Sequence, residues 1–157
     1  MAIAATIERY LADQGIPYEI VPHPHTEDSL HTAAAAHVPA ENIAKAVVLK
    51  DEQGYVVAVL PGTYKLKMGD VHSFTGRRHL ELAPEEELAR LFGDCELGAV
   101  PALAAAYGVE AVWDERLALS GPLYFEGGDH RSLVRVSGSD FHKMMGSANC
   151  GKLGEPL

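Results

Sequence analysis

The sequence predicts a single α/β domain in which a mixed, mostly antiparallel sheet is flanked by helices. The chain has 157 residues, of which 47% are hydrophobic and 22% are charged, and these values are typical of one globular domain with its own core. Short runs rich in valine and isoleucine alternate along the chain with segments of helical character. Two pairs of these runs are separated only by tight turns, which favours hairpins over a doubly wound parallel sheet.

Five segments carry the signals of a helix. The first has apolar residues along one stripe and stops before Gly15, and the second contains a run of four alanines at residues 33–36. The fourth begins with Pro84 and three glutamates, which suit the first turn of a helix. Ser139 or Asp140 would cap the fifth. The predicted helices are residues 2–14, 29–38, 64–74, 84–92 and 141–145.

The strands are predicted from apolar runs and from alternation of apolar and polar residues. They are residues 16–21, 43–50, 55–60, 79–82, 109–114, 123–126 and 133–137. Turns at residues 51–54 and 127–130 would close two hairpins. Residues 146–157 are rich in glycine and have no periodicity, so we expect a domain over residues 1–145 and a flexible C-terminal tail over residues 146–157.

One lysine breaks the apolar pattern of the first hairpin. Lys45 lies near the start of the strand predicted at residues 43–50 and points to the same side as Val47 and Leu49. An unpaired buried ammonium is costly. Lys45 should therefore reach the edge of the sheet, pair with a carboxylate, or face a cleft that receives a polar ligand.

Two loops contain further candidate residues. Gly98 and Pro101 bracket a segment that cannot be a regular helix, so it is either a shaped loop whose backbone N–H groups approach a ligand or a simple connection. His130 follows a Gly-Gly turn, where it would orient a water or hydroxyl, or else face solvent. Asp129 and Asp140 are potential partners for a cation in a site.

Charge and cysteine content exclude several functions. The formal net charge of −9 argues against broad nucleic-acid binding through phosphate contacts. A local basic patch remains compatible with it, formed by residues among Lys65, Lys67, Arg77, Arg78, Arg131 and Arg135. Cys95 and Cys150 form no CxxC motif, and carboxylates on both sides of Cys95 disfavour a nucleophilic thiolate.

The sequence contains no strong metal, nucleotide or membrane motif. His23, His25, His31 and His37 lie close together, but their spacing does not favour a metal site, and we expect no cofactor. GxGxxG, Walker A, HExxH and GxSxG motifs are absent. Residues 1–14 lack the character of a leader, and no apolar run is long enough to span a membrane, so we expect a cytoplasmic protein without membrane partners.

Three short motifs resemble the YbaK/prolyl-tRNA-synthetase-associated domain family of aminoacyl-tRNA deacylases. The first is Ala44-Lys45-Ala46-Val47-Val48-Leu49, and the second is Gly98-Ala99-Val100-Pro101. The third is the late hairpin that runs from Phe125-Glu126-Gly127-Gly128-Asp129-His130 to Asp140-Phe141. The resemblance extends from the first helix to about Met145, which is nearly the whole chain.

This resemblance implies a freestanding trans-editing enzyme that hydrolyses the ester between a wrong amino acid and the terminal adenosine of a tRNA. It implies that water is the nucleophile and that Lys45, with backbone N–H groups near Gly98, positions the substrate. We expect His130 to be the second catalytic residue. The expected substrate-binding residues are Gly98, Ala99, Val100, Pro101, Gly127, Gly128 and Asp129.

The resemblance also implies a substrate and partners. A pocket lined by alanine and valine would favour small amino acids such as alanine, cysteine or 2-aminobutyrate, and we expect them on tRNAPro. The acidic charge implies contact mainly with the acceptor end, with delivery by prolyl-tRNA synthetase or an elongation factor. Two alternatives remain open, which are a non-catalytic binding module of the same fold and a metal-dependent hydrolase that uses the histidines.

Overall fold

The computed structural model describes residues 3–118 and 121–157. Its helices are α1 (Ala5–Asp13), α2 (Ser29–Ala36), α3 (Met68–Thr75), α4 (Glu85–Leu91) and α5 (Gly138–Met145). Its strands are β1 (Glu19–Pro22), β2 (Ala44–Asp51), β3 (Gly54–Pro61), β4 (Tyr64–Leu66), β5 (Glu81–Leu82), β6 (Glu110–Asp114), β7 (Leu123–Glu126), β8 (Ser132–Val136), β9 (Asn149–Gly151) and β10 (Gly154–Pro156). Short 3₁₀ segments lie at Ala40–Asn42, Ala104–Tyr107 and Glu115–Ala118.

The strands of the described residues form one large sheet and two smaller ones. The large sheet has the order β5–β2–β3–β6–β9, with β2 antiparallel to β3 and β5, and with β6 parallel to β3 and β9. A three-stranded antiparallel sheet has the order β1–β8–β7, and β4 pairs with β10. A parallel bridge between Ile43 and Tyr124 connects the large sheet to the three-stranded one. The predicted mixed, mostly antiparallel α/β class is confirmed.

Strand β3 is buried on both faces, which explains its continuous apolar sequence. Val57 and Val59 face the main cluster, which includes Ile7 and Leu11 of α1. Residues on the opposite face belong to a second cluster, composed of Leu49, Val56, Ala58, Val71, Leu80, Val112 and Leu153. The large sheet is therefore covered on both sides in its centre, and a ligand must enter at its margins.

The turn between β2 and β3 is held by polar contacts. Asp51 accepts a hydrogen bond from the backbone N–H of Gln53 at 2.8 Å, and its carboxylate also accepts from Nε and Nη2 of Arg77 at 2.8 and 2.5 Å. This ion pair is largely shielded from solvent, with 12% of the Arg77 and 1% of the Asp51 side chain exposed. The hydrogen bonds from Arg77 lower the pKa of Asp51 to about 2.

The predicted helix at residues 64–74 is wrong in its first part. Tyr64–Leu66 forms β4, and helix α3 begins only at Met68. The first residues are strand because they pair with Gly154–Pro156, a segment far away in the sequence. Tertiary pairing therefore overrides the local helical pattern.

Residues 146–157 do not form the flexible tail that we expected. They contain β9 and β10, and the side chain of Leu153, which lies between these strands in the sequence, is fully buried. The backbone N–H of Leu153 donates to Asp114 Oδ2 at 2.9 Å, and Arg116 Nη2 donates to the Gly154 carbonyl oxygen at 2.8 Å. A Cβ at Gly154 would lie 2.1 Å from the Lys65 carbonyl oxygen, so the close pairing with β4 requires glycine there.

The other elements begin and end within three residues of the predicted positions. Ala2, where the first helix was expected to begin, lies outside the described residues. Within residues 3–118 and 121–157, every helix is too short or too polar to cross a membrane.

Candidate active site

A cavity of about 270 Å³ opens beside the bridge between the large sheet and the three-stranded sheet. Its wall combines the start of α2, the start of β2, the loop at Gly98 and the turn after β7. The lining residues are Thr26, Glu27, Asp28, Ser29, Thr32, Ile43, Ala44, Lys45, Ala46, Gly98, Val100, Glu126, His130 and Leu133. Four of the residues predicted from sequence are thus brought together, namely Lys45, Gly98, Val100 and His130.

Lys45 lies at a gap between two apolar clusters. It shares its face of β2 with Ile43 and Val47, because side chains alternate along a strand. Ile43 packs with Tyr124 and Leu133, whereas Val47 packs on the second cluster described above. The half-buried Lys45 occupies the position between them and points into the cavity wall.

The charge of Lys45 has no direct partner within the described ranges. The ion pairs with nitrogen and oxygen within 4.0 Å do not include Lys45. Burial lowers the pKa of this ammonium, and the negative charge of Asp28 acts in the opposite direction. Of the three alternatives left by the sequence, the geometry favours a lysine that faces a cleft.

A turn after β7 places His130 against the cavity. Oε2 of Glu126 accepts hydrogen bonds from the backbone N–H groups of Gly128, Asp129 and His130 at 2.9, 3.2 and 3.1 Å. His130 adopts a left-handed backbone conformation with φ of 60°, which is uncommon for a residue other than glycine. Its side chain is consequently turned inward and only 5% of the residue is exposed.

A hydrogen bond fixes the His130 ring. Its Nε2 lies 2.7 Å from the carbonyl oxygen of Leu97, which only accepts, so Nε2 carries the hydrogen. In the neutral ring Nδ1 is then the hydrogen-bond acceptor. Gly98 has φ of 80° and passes close to this ring, since a Cβ at Gly98 would lie 3.6 Å from Cε1 of His130.

The loop at Gly98 offers fewer backbone donors than its four residues suggest. The N–H of Ala99 already donates to the Glu96 carbonyl oxygen at 2.9 Å, and the Ala99 side chain is buried in the interior. Pro101 has no N–H and is also buried. Among the described residues no acceptor takes the N–H of Gly98 or Val100, so these two groups remain available to a ligand.

Three other residues predicted to contact the substrate do not line the cavity. A Cβ at Gly127 would lie 2.8 Å from Cγ2 of Ile3, so Gly127 is required for packing. Gly128 lies against Cys95. The carboxylate of Asp129 accepts hydrogen bonds from the Arg131 N–H and the Ser132 hydroxyl at 2.9 and 3.1 Å, so it stabilises the turn.

The cavity also contains residues that the sequence did not single out. Thr26 and Thr32 hydrogen-bond to each other through their hydroxyl groups at 2.6 Å. Asp28 caps α2 by accepting from the N–H of His31 at 2.9 Å, and its second oxygen lies 2.5 Å from the His31 ring. Glu126 precedes two glycines, and an acid before a Gly-Gly turn is the signal that would have identified a carboxylate bound to backbone N–H groups.

Other histidines lie around the cavity, and the ring centroid of His25 is 5.1 Å from that of His130. His31 pairs with Asp28, and His37 ends α2 in a left-handed conformation. The described parts of the chain contain no group of three histidine, cysteine or acidic residues placed to hold a metal ion. Cys95 lines a second cavity of about 110 Å³, which shares Gly98 and Val100 with the main cavity. Burial raises the pKa of its thiol to about 11.

Two solved structures have the same fold over nearly the whole chain. A proposed trans-editing enzyme for prolyl tRNA synthetase matches with a TM-score of 0.84 and 25% identity, covering 96% of this chain and 95% of that one. The hypothetical protein APE2540 matches with a TM-score of 0.83 and 23% identity, covering 96% and 99%. The chain therefore shares the fold of these two proteins over nearly all of its length.

The family model of the aminoacyl-tRNA editing domain matches residues 23–144, a range that includes every residue lining the cavity. The chain belongs to this family. A proline--tRNA ligase of Thermosipho africanus (strain TCF52B) is 31% identical over 70 residues, which are 45% of this chain. The aligned segment spans only 12% of that ligase, so the similarity concerns one part of a larger enzyme.

Proposed function

We propose that this protein is a trans-editing deacylase that hydrolyses the ester of mischarged aminoacyl-tRNA. The observation that carries the proposal is the convergence of Lys45, His130 and the free N–H groups of Gly98 and Val100 around one cavity. These residues come from distant parts of a chain that belongs to the editing-domain family. Ester hydrolysis develops negative charge on the carbonyl oxygen, and a cation with backbone N–H donors stabilises that charge.

Water is the nucleophile in this proposal. Cys95 lies outside the cavity and its thiol is held protonated by burial, so it does not supply a thiolate. The hydroxyls of Thr26 and Thr32 bond to each other. Nδ1 of His23 lies 3.5 Å from the Thr26 hydroxyl, but it donates its hydrogen to the Pro24 carbonyl oxygen at 2.7 Å and so is not a base for Thr26. Nδ1 of His130, the acceptor nitrogen of the neutral ring, would accept a hydrogen bond from the attacking water.

The residues of the cavity wall favour a small aminoacyl group as the substrate. Its apolar part includes Ala44, Ala46 and Val100, and its volume of about 270 Å³ must also admit part of the terminal ribose. We propose alanine, cysteine or 2-aminobutyrate as the amino acid. The similarity to a proline--tRNA ligase and to a proposed trans-editing enzyme for prolyl tRNA synthetase supports tRNAPro as the carrier.

The partner is proposed to be the acceptor end of the tRNA. With a net charge of −9, the protein would repel much of the phosphate backbone, and Lys45 supplies a cation where the acceptor end would enter. Delivery by prolyl-tRNA synthetase or an elongation factor would provide the remaining affinity.

The proposal is tested by single-turnover deacylation of tRNAPro charged with alanine, cysteine, 2-aminobutyrate, serine or proline. Wild type should hydrolyse at least one small non-cognate ester faster than the prolyl ester. Lys45→Met, which keeps most of the aliphatic stem, should lower that rate by roughly a hundredfold, as for loss of one oxyanion donor. The matched control is Lys50→Met, because Lys50 lies on the same strand but pairs with Glu87 outside the cavity.

Each result separates the alternatives. Equal rates for the Lys45 and Lys50 variants would remove Lys45 from the mechanism. Binding of the charged tRNA without turnover of any ester would replace the enzyme by a non-catalytic module of the same fold. Loss of activity on chelation, restored by a metal ion, would instead favour the metal-dependent alternative.

A further inference from the structure

The carboxylate of Glu126 has two oxygens with different roles. Oε2 accepts three backbone N–H groups of the turn that ends at His130. Oε1 accepts no hydrogen bond from any residue in the described ranges, although Glu126 lines the cavity. The turn therefore fixes the position of the carboxylate and leaves one oxygen to interact with a ligand.

Glu126 and Lys45 occupy equivalent positions relative to the bridge between the two sheets. Ile43 and Tyr124 are bridged in parallel, and Lys45 and Glu126 each follow two residues later, so both point to the same face as the bridge residues. Both line the cavity, yet they form no ion pair within 4.0 Å. A ligand between them would meet a cation at one end and an anion at the other.

An aminoacyl ester has this same charge pattern. Its carbonyl oxygen becomes negative during hydrolysis, and its α-amino group is largely protonated near neutral pH. Of the other acids in the wall, Asp28 already has both oxygens engaged by His31, and Glu27 is exposed. Glu126 is the acid that is both fixed in position and open to a new donor.

We propose that Glu126 binds the free α-ammonium of the aminoacyl group and so restricts the enzyme to aminoacyl esters with an unmodified amine. This inference rests on the proposed deacylase function. An N-acylated ester, such as an N-acetylaminoacyl- or peptidyl-tRNA, lacks this charge and would leave the carboxylate unpaired. The protein would then discharge newly mischarged tRNA and spare tRNA that carries a growing chain.

The test compares alanine with N-acetylalanine in two kinds of probe. The first is deoxyadenosine that carries either group through a non-hydrolysable amide, for which binding is measured by calorimetry. The second is tRNAPro charged with either group, for which the hydrolysis rate is measured. Glu126→Gln keeps one oxygen to accept the three N–H groups while replacing Oε1 by a donor, and Glu96→Gln removes an exposed acid outside this cavity as a control.

Wild type and Glu96→Gln should bind the free-amine amide about ten- to a hundredfold more tightly than its N-acetyl form, the range expected for one charged hydrogen bond. In Glu126→Gln that ratio should approach one, through loss of affinity for the free amine only. Equal binding of both amides by wild type, or an equal loss for both in the variant, would overturn the inference. Discrimination in binding without hydrolysis of any ester would support this inference while refuting the deacylase.

Discussion

Leu153 provides a direct test of the structure of the C-terminal segment. Its side chain is fully buried in the second cluster, on the opposite side of β3 from α1. The substitution Leu153→Ala leaves the backbone hydrogen bonds from Leu153 to Asp114 and from Lys67 to Leu153 in place, so it removes only side-chain packing. A buried leucine of this kind contributes about 2–5 kcal/mol to the free energy of unfolding.

The matched control is Leu157→Ala, since Leu157 belongs to the same segment but is 64% exposed. The control should change the free energy of unfolding by less than about 0.5 kcal/mol. Urea denaturation measures the free energy of unfolding of both variants. Thermal melting should show a decrease of about 4–20 °C in the midpoint for Leu153→Ala. Equally small effects for the two variants would refute the packing of residues 146–157 on the sheet.

Two further predictions concern titratable groups. Because Arg77 lowers the pKa of Asp51 to about 2 from an ordinary 3.8, its carboxylate stabilises the fold above pH 3.8, and that contribution is lost as the pH falls toward 2. The difference in free energy of unfolding between wild type and Asp51→Asn should thus shrink over this window in urea titrations, and a difference independent of pH would contradict the ion pair. Cys95→Ser should keep the wild-type deacylation rate, because the thiol is protonated and outside the main cavity; loss of single-turnover activity in a folded variant would identify a cysteine nucleophile.

The parts of the fold that sequence predicts well are those whose signals are local. The hairpin β2–β3 combines two apolar runs with a turn whose residues form their own contacts, including the bond from Gln53 to Asp51. Helix α4 begins directly after Pro84 and has three glutamates in its first turn, as its sequence predicts. In both, local preference and tertiary structure favour the same conformation.

The parts that sequence does not predict depend on distant partners. Residues 64–66 are a strand because they meet residues 154–156. The start of that segment is held by Asp114, which accepts from the Leu153 N–H, and by Arg116, which donates to the Gly154 carbonyl oxygen. Buried Asp114 is itself compensated by Arg116, which also lies 4.2 Å above the centre of the Tyr64 ring. A glycine-rich segment without periodicity gives no local indication of such contacts.

The residues of the candidate site also differ in whether a local sequence signal predicts them. Lys45 is predictable because a cation in an apolar strand breaks a local rule, and Gly98 because a glycine allows close approach of a ligand. Glu126 has only the Gly-Gly turn after it as a local signal, and its importance comes from three hydrogen bonds that exist only in the folded turn. The residues that share a motif with His130 support this turn, and only some of them reach the cavity.

Lys45 is also unfavourable for the fold, which supports a functional reason for its presence. Burial disfavours its charged form, Asp28 compensates only in part, and no described carboxylate pairs with it directly. Replacement by methionine should therefore leave the free energy of unfolding unchanged or raise it, while deacylation is lost. A lysine with a structural role would behave differently, because breaking a buried ion pair costs about 3–5 kcal/mol. An inactive variant that is at least as stable as wild type would thus assign Lys45 to the chemistry and not to the fold.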